Sequence, residues 1–298
     1  ILFVGTTRGL ESKVLAHEGF ELVWISAKPV MGKGLFGAMT GLCATPVSLW
    51  QCLRILRARR ADLVIGVGGY TSPMMLLAAA VTGVARVILE PNANPGAANK
   101  AVGSFAQRVF LAFESAAGSF DRSKVRVVGT PIRKAFLDGM RQSREKLGPP
   151  HLLIFGGSQG AKAMNAAVTE GLSDLMTQIP QLTVTHQTGE SDHARVAEAY
   201  RRAGFEQQVV PFIYDMPAAL RQADLVVARA GAMTVAELTA CGKPAIRIPL
   251  PSAIYDHQTK NAKVMEAAGA AVLLSQSVLT GPLLVRTVAG ILGDPERL

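Results

Sequence analysis

Acidic residues are scarce in this chain: 22 Asp plus Glu stand against 31 Lys plus Arg, a formal net charge of +9 over 298 residues. That imbalance favours partners that carry phosphate or other anionic groups, among them nucleic acid, anionic lipid and phosphorylated ligands, and charge alone does not choose among them. Cysteine is nearly absent. Cys43, Cys52 and Cys241 form no CxxC pair and lie in apolar surroundings, as expected of buried thiols in the cytoplasm. Aromatic residues make up only 6% of the chain, and no stacking platform for a nucleic-acid strand is evident. The sequence has no Asp-x-Asp pair and no His or Cys cluster with ligand spacing, so no tightly bound metal or cofactor is expected. It also lacks any charge-free apolar stretch of about eighteen residues, so no segment is expected to span a bilayer.

What the chain does have is length and rhythm. It is long enough to bury two separate cores without disulfides. Short apolar runs alternate with longer amphipathic segments, the pattern of βα units that build parallel sheets. Strands are expected at 1–4, 21–26, 63–67, 86–89, 108–111 and 125–128, then at 151–155, 183–186, 208–211, 225–228, 245–248 and 271–273. Between the two sets, residues 134–150 are charged, carry Gly139, Gly148, Pro149 and Pro150, and read as an interdomain connection. The expected fold is therefore α/β, with two doubly wound Rossmann-like domains, 1–133 and 134–298, facing each other across a cleft. Residues 1–4 read as a strand already under way and 294–298 as a turn opening a helix, so a longer parent chain is expected.

In open parallel sheets, ligands bind beyond the carboxyl ends of the strands, where helix starts offer free N–H groups and partial positive charge. Three turns stand there. The first is Gly156, Gly157, Ser158, Gln159, Gly160 and Ala161, whose glycines would let backbone approach a diphosphate while the Ser158 hydroxyl adds a donor. A tight turn with Ser158 as a helix cap is the plainer alternative. The second turn runs from Arg229 through Gly231, Ala232, Met233 and Thr234 to Glu237. Thr234 and Glu237 have the spacing of a capping box, yet a carboxylate one turn into a helix could equally accept from both hydroxyls of a ribose. The third, Gly66 to Ser72, could hold another anionic group or simply let a helix pack closely on its strand.

Taken together these turns resemble the MurG family, the UDP-N-acetylglucosamine:undecaprenyl-diphosphate-muramyl-pentapeptide transferases of the GT-B fold. The resemblance covers essentially the whole chain and rests on GGSQGA at 156–161, RAGAMTVAEL at 229–238 and DHQTKNA at 256–262, supported by GVGGYTS at 66–72, EPNANPGAANK at 90–100 and VVGTPIR at 127–133. It implies an inverting transfer of N-acetylglucosamine from UDP-N-acetylglucosamine to the muramyl 4-hydroxyl of a lipid-linked pentapeptide. Carried over residue by residue, it implies that Ser158, Gln159 and Gly160 hold the diphosphate, that Arg133 reaches the nucleotide, and that Ile213 presents backbone to uracil. Glu237 would bind the ribose diol, Ala232, Met233 and Thr234 would lie against the phosphates, and Gln258 and Asn92 would select sugar hydroxyls by donating and accepting at once. Gly68, Gly69, Tyr70, Thr71, Ser72 and Glu90 would line the acceptor side. The chain departs from the family pattern at Pro73, Met74 and Met75, and again at Pro91. The resemblance places the general base in a histidine-bearing glycine loop upstream of Ile1; neither His17 nor His257 clearly replaces it. A related transferase with another lipid acceptor, such as a diacylglycerol glycosyltransferase, and a non-catalytic UDP-sugar binder are the rival readings.

Between residues 28 and 60, Leu35, Phe36, Met39, Leu42, Leu49, Trp50 and Leu53 are flanked by Lys28, Lys33, Arg54, Arg57, Arg59 and Arg60. A basic rim around apolar side chains suits peripheral docking on the anionic cytoplasmic face of a bacterial plasma membrane, and a buried core is the alternative. The expectation is mixed: Leu49 and Leu53 buried, Leu35, Phe36 and Met39 touching lipid. No nucleic-acid partner is expected.

Overall fold

The structure, a computed structural model, describes residues 1–6, 19–26, 34–138, 148–205, 207–251 and 256–294, with backbone alone for 34–45. The chain divides into two compact units, Ile1–Thr130 and Pro131–Leu298. Strands occur at all twelve expected places, with ends within a residue or two of the expectation.

In the first unit, β1 (Leu2–Gly5) and β2 (Glu21–Trp24) form a parallel pair. After helix α1 (Gly34–Arg59) comes a separate parallel sheet of β3 (Leu63–Gly66), β4 (Ala85–Glu90), β5 (Arg108–Leu111) and β6 (Val125–Val127), in that spatial order. Helices α2 (Thr71–Thr82) and α3 (Ala97–Val102) connect its strands. Side chains alternate across a strand, so Val64, Ile88, Val109 and Leu111 join Leu56 and Leu76 in one core. On the opposite face Leu63 and Ile65 stay exposed, at 49% and 58%. Gly83 ends α2 in the left-handed conformation (φ 74°), donating its N–H to the Ala79 and Ala80 carbonyls.

The second unit holds α4 (Lys134–Asp138), β7 (His151–Phe155), α5 (Lys162–Glu170), α6 (Leu172–Gln178), β8 (Thr183–Gln187), α7 (His193–Arg202), β9 (Gln208–Val210) and α8 (Met216–Gln222). It continues with β10 (Leu225–Ala228), α9 (Ala232–Ala240), β11 (Ala245–Arg247), α10 (His257–Ala267), β12 (Ala271–Leu273) and α11 (Gly281–Leu292). Its six strands are all parallel, in the order β9-β8-β7-β10-β11-β12. The chain starts in the middle of this sheet, works outward to β9, and returns to build the other half from β10. That reversal makes the gap between β7 and β10 the topological switch point of a doubly wound sheet.

Both faces of this sheet are covered, as a parallel sheet requires. Leu152, Ile154, Val227 and Ile246 pack on Met164 and Val168 of α5 and on Leu284 and Val288 of α11. Leu153, Phe155, Val226 and Ala228 on the other face are equally buried. Each buried Val, Leu, Ile or Phe among these contributes about 1.5–3 kcal/mol. Arg247, the last residue of β11, is also fully buried; its guanidinium nitrogens have no hydrogen-bond partner among the described residues, and burial lowers its pKa to about 9.

Candidate functional site

The carboxyl ends of β7 and β10 lie side by side, with Phe155 opposite Ala228, so the segments 156–161 and 229–231 leave the sheet together at the switch point. In the first segment Gly157 and Gly160 have φ of 86° and 71°, a conformation that disfavours any residue with a Cβ. Gly160 is constrained twice, because a Cβ there would overlap the Thr188 carbonyl. Gly189 (φ 80°) faces it from β8's end, and a Cβ on Gly189 would stand 2.5 Å from the Gln159 oxygen. The two segments therefore rest backbone on backbone. Gln187 fastens them further: its Nε2 donates to the carbonyls of Gly157 (3.0 Å) and Pro211 (3.1 Å), and its Oε1 accepts from the Gly156 N–H at 3.3 Å. Ser158 and Gln159 are left with exposed side chains at the tip. The N-cap of α5 is Ala161, which offers no side-chain acceptor, so Ser158 is not the cap and the first N–H groups of α5 are without a side-chain partner at the cap.

The second segment repeats this logic. Gly231 is the N-cap of α9, again without a side-chain cap, and Thr234 is the third helical residue, so Thr234 and Glu237 do not form a capping box. Ala232, Met233 and Thr234 make up the first turn. Glu237 is half-buried, and among the described residues its carboxylate makes no hydrogen bond. Burial raises its pKa while the charge of Arg133 lowers it, so the two side chains share one electrostatic environment. Arg133 itself is exposed, its guanidinium 5.0 Å over the Phe136 ring of α4. Three side chains hold the second segment in place. Arg229 donates through Nη1 to the carbonyls of Ile248 and Pro249, both 3.1 Å, and through Nη2 to Gln276 Oε1 at 2.7 Å. Asn261 Nδ2 donates to the Ala230 carbonyl at 3.1 Å. Gln258 Oε1 accepts from the N–H groups of Ala230 (3.2 Å) and Leu250 (3.0 Å). Both lone pairs of Gln258 are thus occupied, and in this geometry its amide can donate to a ligand but not accept from one.

Ile213 follows β9, joined to the glycine segment through Gln187 and Pro211. Its neighbours Phe212 and Tyr214 are exposed, their rings 5.0 Å apart and edge-on. In the sequence these two aromatics are marked only by their positions on either side of Ile213.

In the first unit, Gly68 and Gly69 have φ of 101° and 73°, and Ser72 closes the turn by accepting from the Gly68 N–H at 3.0 Å and donating to the Gly68 carbonyl. Ser72 is buried, Thr71 half-buried and Tyr70 exposed. Glu90 is buried, and its carboxylate accepts four N–H groups: Oε1 from the Asn92 backbone (3.0 Å) and Nδ2 (3.1 Å), Oε2 from Gly96 (2.9 Å) and Asn99 Nδ2 (2.9 Å). This carboxylate, expected on the acceptor side, shapes its own loop, and the Asn92 amide donates to it rather than standing clear. His257, the first residue of α10, is half-buried, and His17 lies outside the described residues.

Residues 151–298 match the glycosyltransferase family 28 C-terminal domain, and residues 1–111 match the family 28 N-terminal domain. The chain is 46% identical over 299 residues to the UDP-N-acetylglucosamine–N-acetylmuramyl-(pentapeptide) pyrophosphoryl-undecaprenol N-acetylglucosamine transferase of Syntrophus aciditrophicus strain SB, covering 82% of that protein. It is 45% identical over 297 residues to the same transferase of Anaeromyxobacter sp. strain Fw109-5, covering 78% of it. The chain belongs to this transferase family. A crystal structure of Acinetobacter baumannii MurG superimposes with a TM-score of 0.76 at 30% identity, over 99% of this chain and 82% of that one. With both domain matches, that likeness gives the chain the GT-B glycosyltransferase fold.

The basic and apolar stretch of this MurG-family chain lies partly outside the described side chains: Lys28 and Lys33 fall outside the described residues, and Leu35, Phe36, Met39 and Leu42 are described by backbone alone. Leu49 and Leu53 pack against the first unit's core. Trp50 is 59% exposed, with the Arg54 guanidinium 5.6 Å over its ring, and Arg57, Arg59 and Arg60 are exposed nearby. Among the described residues no helix is long and apolar enough to cross a membrane.

Proposed function

We propose that the chain transfers N-acetylglucosamine from UDP-N-acetylglucosamine to the 4-hydroxyl of the muramyl residue of undecaprenyl-diphosphate-muramyl-pentapeptide, a step of peptidoglycan synthesis. The observation that carries this reading is the switch point of the second unit. There, a glycine segment fixed against Thr188 and Gly189 stands beside a helix start, with the Glu237 carboxylate free of hydrogen bonds among the described residues. The diphosphate sits against the amides of 156–161 and the Ser158 hydroxyl, at the uncapped starts of α5 and α9, and Glu237 accepts from the ribose diol. Gln258 donates to the sugar, and Ile213 meets the uracil.

The reaction is a single displacement with inversion. The muramyl O4 forms a bond to the anomeric carbon and gives up its proton to a general base, the bond from that carbon to the diphosphate breaks, and UDP departs with the electron pair. Charge growing on the leaving diphosphate meets backbone N–H groups already oriented toward it, which lowers the barrier without any reorganisation. The acceptor side belongs to the first unit, along 68–72. Glu90 is a poor candidate for the base that takes the O4 proton, since both its oxygens are occupied. The exposed Trp50, Arg54 and Arg57 favour peripheral docking on the cytoplasmic leaflet.

Glu237→Ala tests the reading. It is expected to weaken UDP binding by roughly 1.5–3 kcal/mol, the loss of a charged hydrogen-bonding partner, as measured by calorimetry. Unchanged affinity in the folded variant removes the ribose assignment. Calorimetry with UDP-glucose beside UDP-N-acetylglucosamine, and transfer to a lipid-linked muramyl-peptide, separate this activity from its rivals.

A further inference from the structure

We propose that a buried hydrogen-bond chain, from Tyr200 through His186 to Asn165 and Asp192, holds the diphosphate segment in its binding shape, with Asn165 as the positioning residue through which it acts. The proposal rests on the reading that 156–161 receives the diphosphate.

The chain can be followed atom by atom. Asn165, on the first turns of α5, is fully buried. Its Nδ2 donates to the Thr188 carbonyl at 2.9 Å and to Asp192 Oδ2 at 2.7 Å. Both amide hydrogens are thereby used, so Asn165 Oδ1 can only accept, and the His186 Nε2 at 3.1 Å must carry the imidazole proton. His186 Nδ1 is then an acceptor, and the Tyr200 hydroxyl, 3.2 Å away, donates to it. Asp192 is held ionised at the far end by Arg195, whose Nε and Nη2 donate at 2.7 and 2.8 Å. Burial holds the His186 pKa down to about 3, so the ring stays neutral and the pattern keeps one direction. Each polar side-chain proton of Tyr200, His186 and Asn165 has one acceptor.

Such a set is costly to bury unless all of it is satisfied, and apolar side chains would fill the same space at less risk. What distinguishes this one is where it ends. Thr188 O, which receives the Asn165 proton, is the atom that a Cβ on Gly160 would strike. Thr188 also donates its backbone N–H to the Val210 carbonyl at 3.0 Å, just before the segment that leads to Ile213. The hydrogen-bond chain thus grips the peptide on which the glycine segment rests, between the parts assigned to diphosphate and uracil. Tyr200 anchors the other end in the core, stacked on Phe205 with ring centroids 5.9 Å apart.

The test uses His186→Phe and His186→Gln in the full chain. Glutamine can present an N–H to Asn165 and an oxygen to Tyr200; phenylalanine can do neither. His186→Phe is expected to raise the KM for UDP-N-acetylglucosamine and the Kd for UDP at least tenfold while leaving the acceptor KM within twofold, and His186→Gln should stay within threefold of the parent for all three. A folded His186→Phe variant with parental donor affinity overturns the proposal. So does equal loss in both variants, or a parallel rise in both KM values, either of which marks general loosening. Should His186→Phe fail to fold, Tyr200→Phe removes a single hydroxyl and is expected to raise the donor KM severalfold alone; an unchanged value overturns the proposal. In the parent protein, amide NMR signals of Gly157 and Gly160 should shift when UDP is added. If they do not, the donor-site reading fails and takes this proposal with it; if they do and the variants bind normally, only the hydrogen-bond chain is refuted.

Discussion

The sheet of the second unit reverses its strand order and is buried on both faces, whereas β3 to β6 of the first unit run in sequence and expose Leu63 and Ile65. Their glycine turns differ in the same way. Gly160 is wedged against a neighbouring carbonyl, while Gly69, with nearly the same φ (73°), has nothing among the described residues within 4 Å of where a Cβ would be. One positive-φ glycine serves both conformation and close approach; the other serves conformation alone. The 156–161 turn is thus held by its neighbours, as the proposed diphosphate site requires, while no described residue holds the first unit's turn at Gly69 in the same way.

Substitutions can break this contrast, and the largest effects belong to the second unit's core and glycine turn. Ile154→Ala should destabilise the protein by about 2–5 kcal/mol, the range for emptying a packed core position, while Ile65→Ala should stay near 0.5 kcal/mol. Denaturant unfolding reads both, and similar losses would show the two sheets to be equivalent. At the turns, Gly160→Ala should cost about 3 kcal/mol or more and abolish UDP binding, against about 1 kcal/mol for Gly69→Ala with donor binding intact. A subtler effect concerns Glu237. Its pKa is raised by burial, so the ionised carboxylate costs the free protein stability at neutral pH, and that cost is relieved as pH falls through the raised value. Glu237→Gln is therefore expected to raise the melting temperature slightly at pH 7 while weakening UDP binding; a lower melting temperature would contradict the assigned strain. The smallest expected effect is on membrane docking: Trp50→Ser should reduce flotation with anionic liposomes, as should added salt, leaving UDP affinity unchanged.

Much of the fold was legible because strands buried on both faces read as unbroken apolar runs between turn residues. His151–Phe155 and Leu225–Ala228 coincide with the expectation residue for residue. Cap positions were not legible. Whether Ser158 or Thr234 caps a helix depends on where the first helical residue falls, and the helices begin at Lys162 and Ala232, which excludes both. Nonlocal pairing hid more. Glu90 looks like a loop carboxylate in sequence, and only the folded 92–99 segment brings four N–H groups to it. A signal for the second unit's buried network was present all the same: β8 reads Thr-Val-Thr-His-Gln, with polar residues at positions that a central strand must bury. Arg247 gave the same kind of signal in β11.

The account depends on the amino ends of α5 and α9 acting as one nucleotide site, and a crystal structure with bound UDP examines that directly. The expected result has diphosphate oxygens within hydrogen-bonding distance of the 156–161 amides and Ser158, with both ribose hydroxyls on Glu237. A nucleotide bound elsewhere, or bound there with Glu237 turned to solvent, would contradict it.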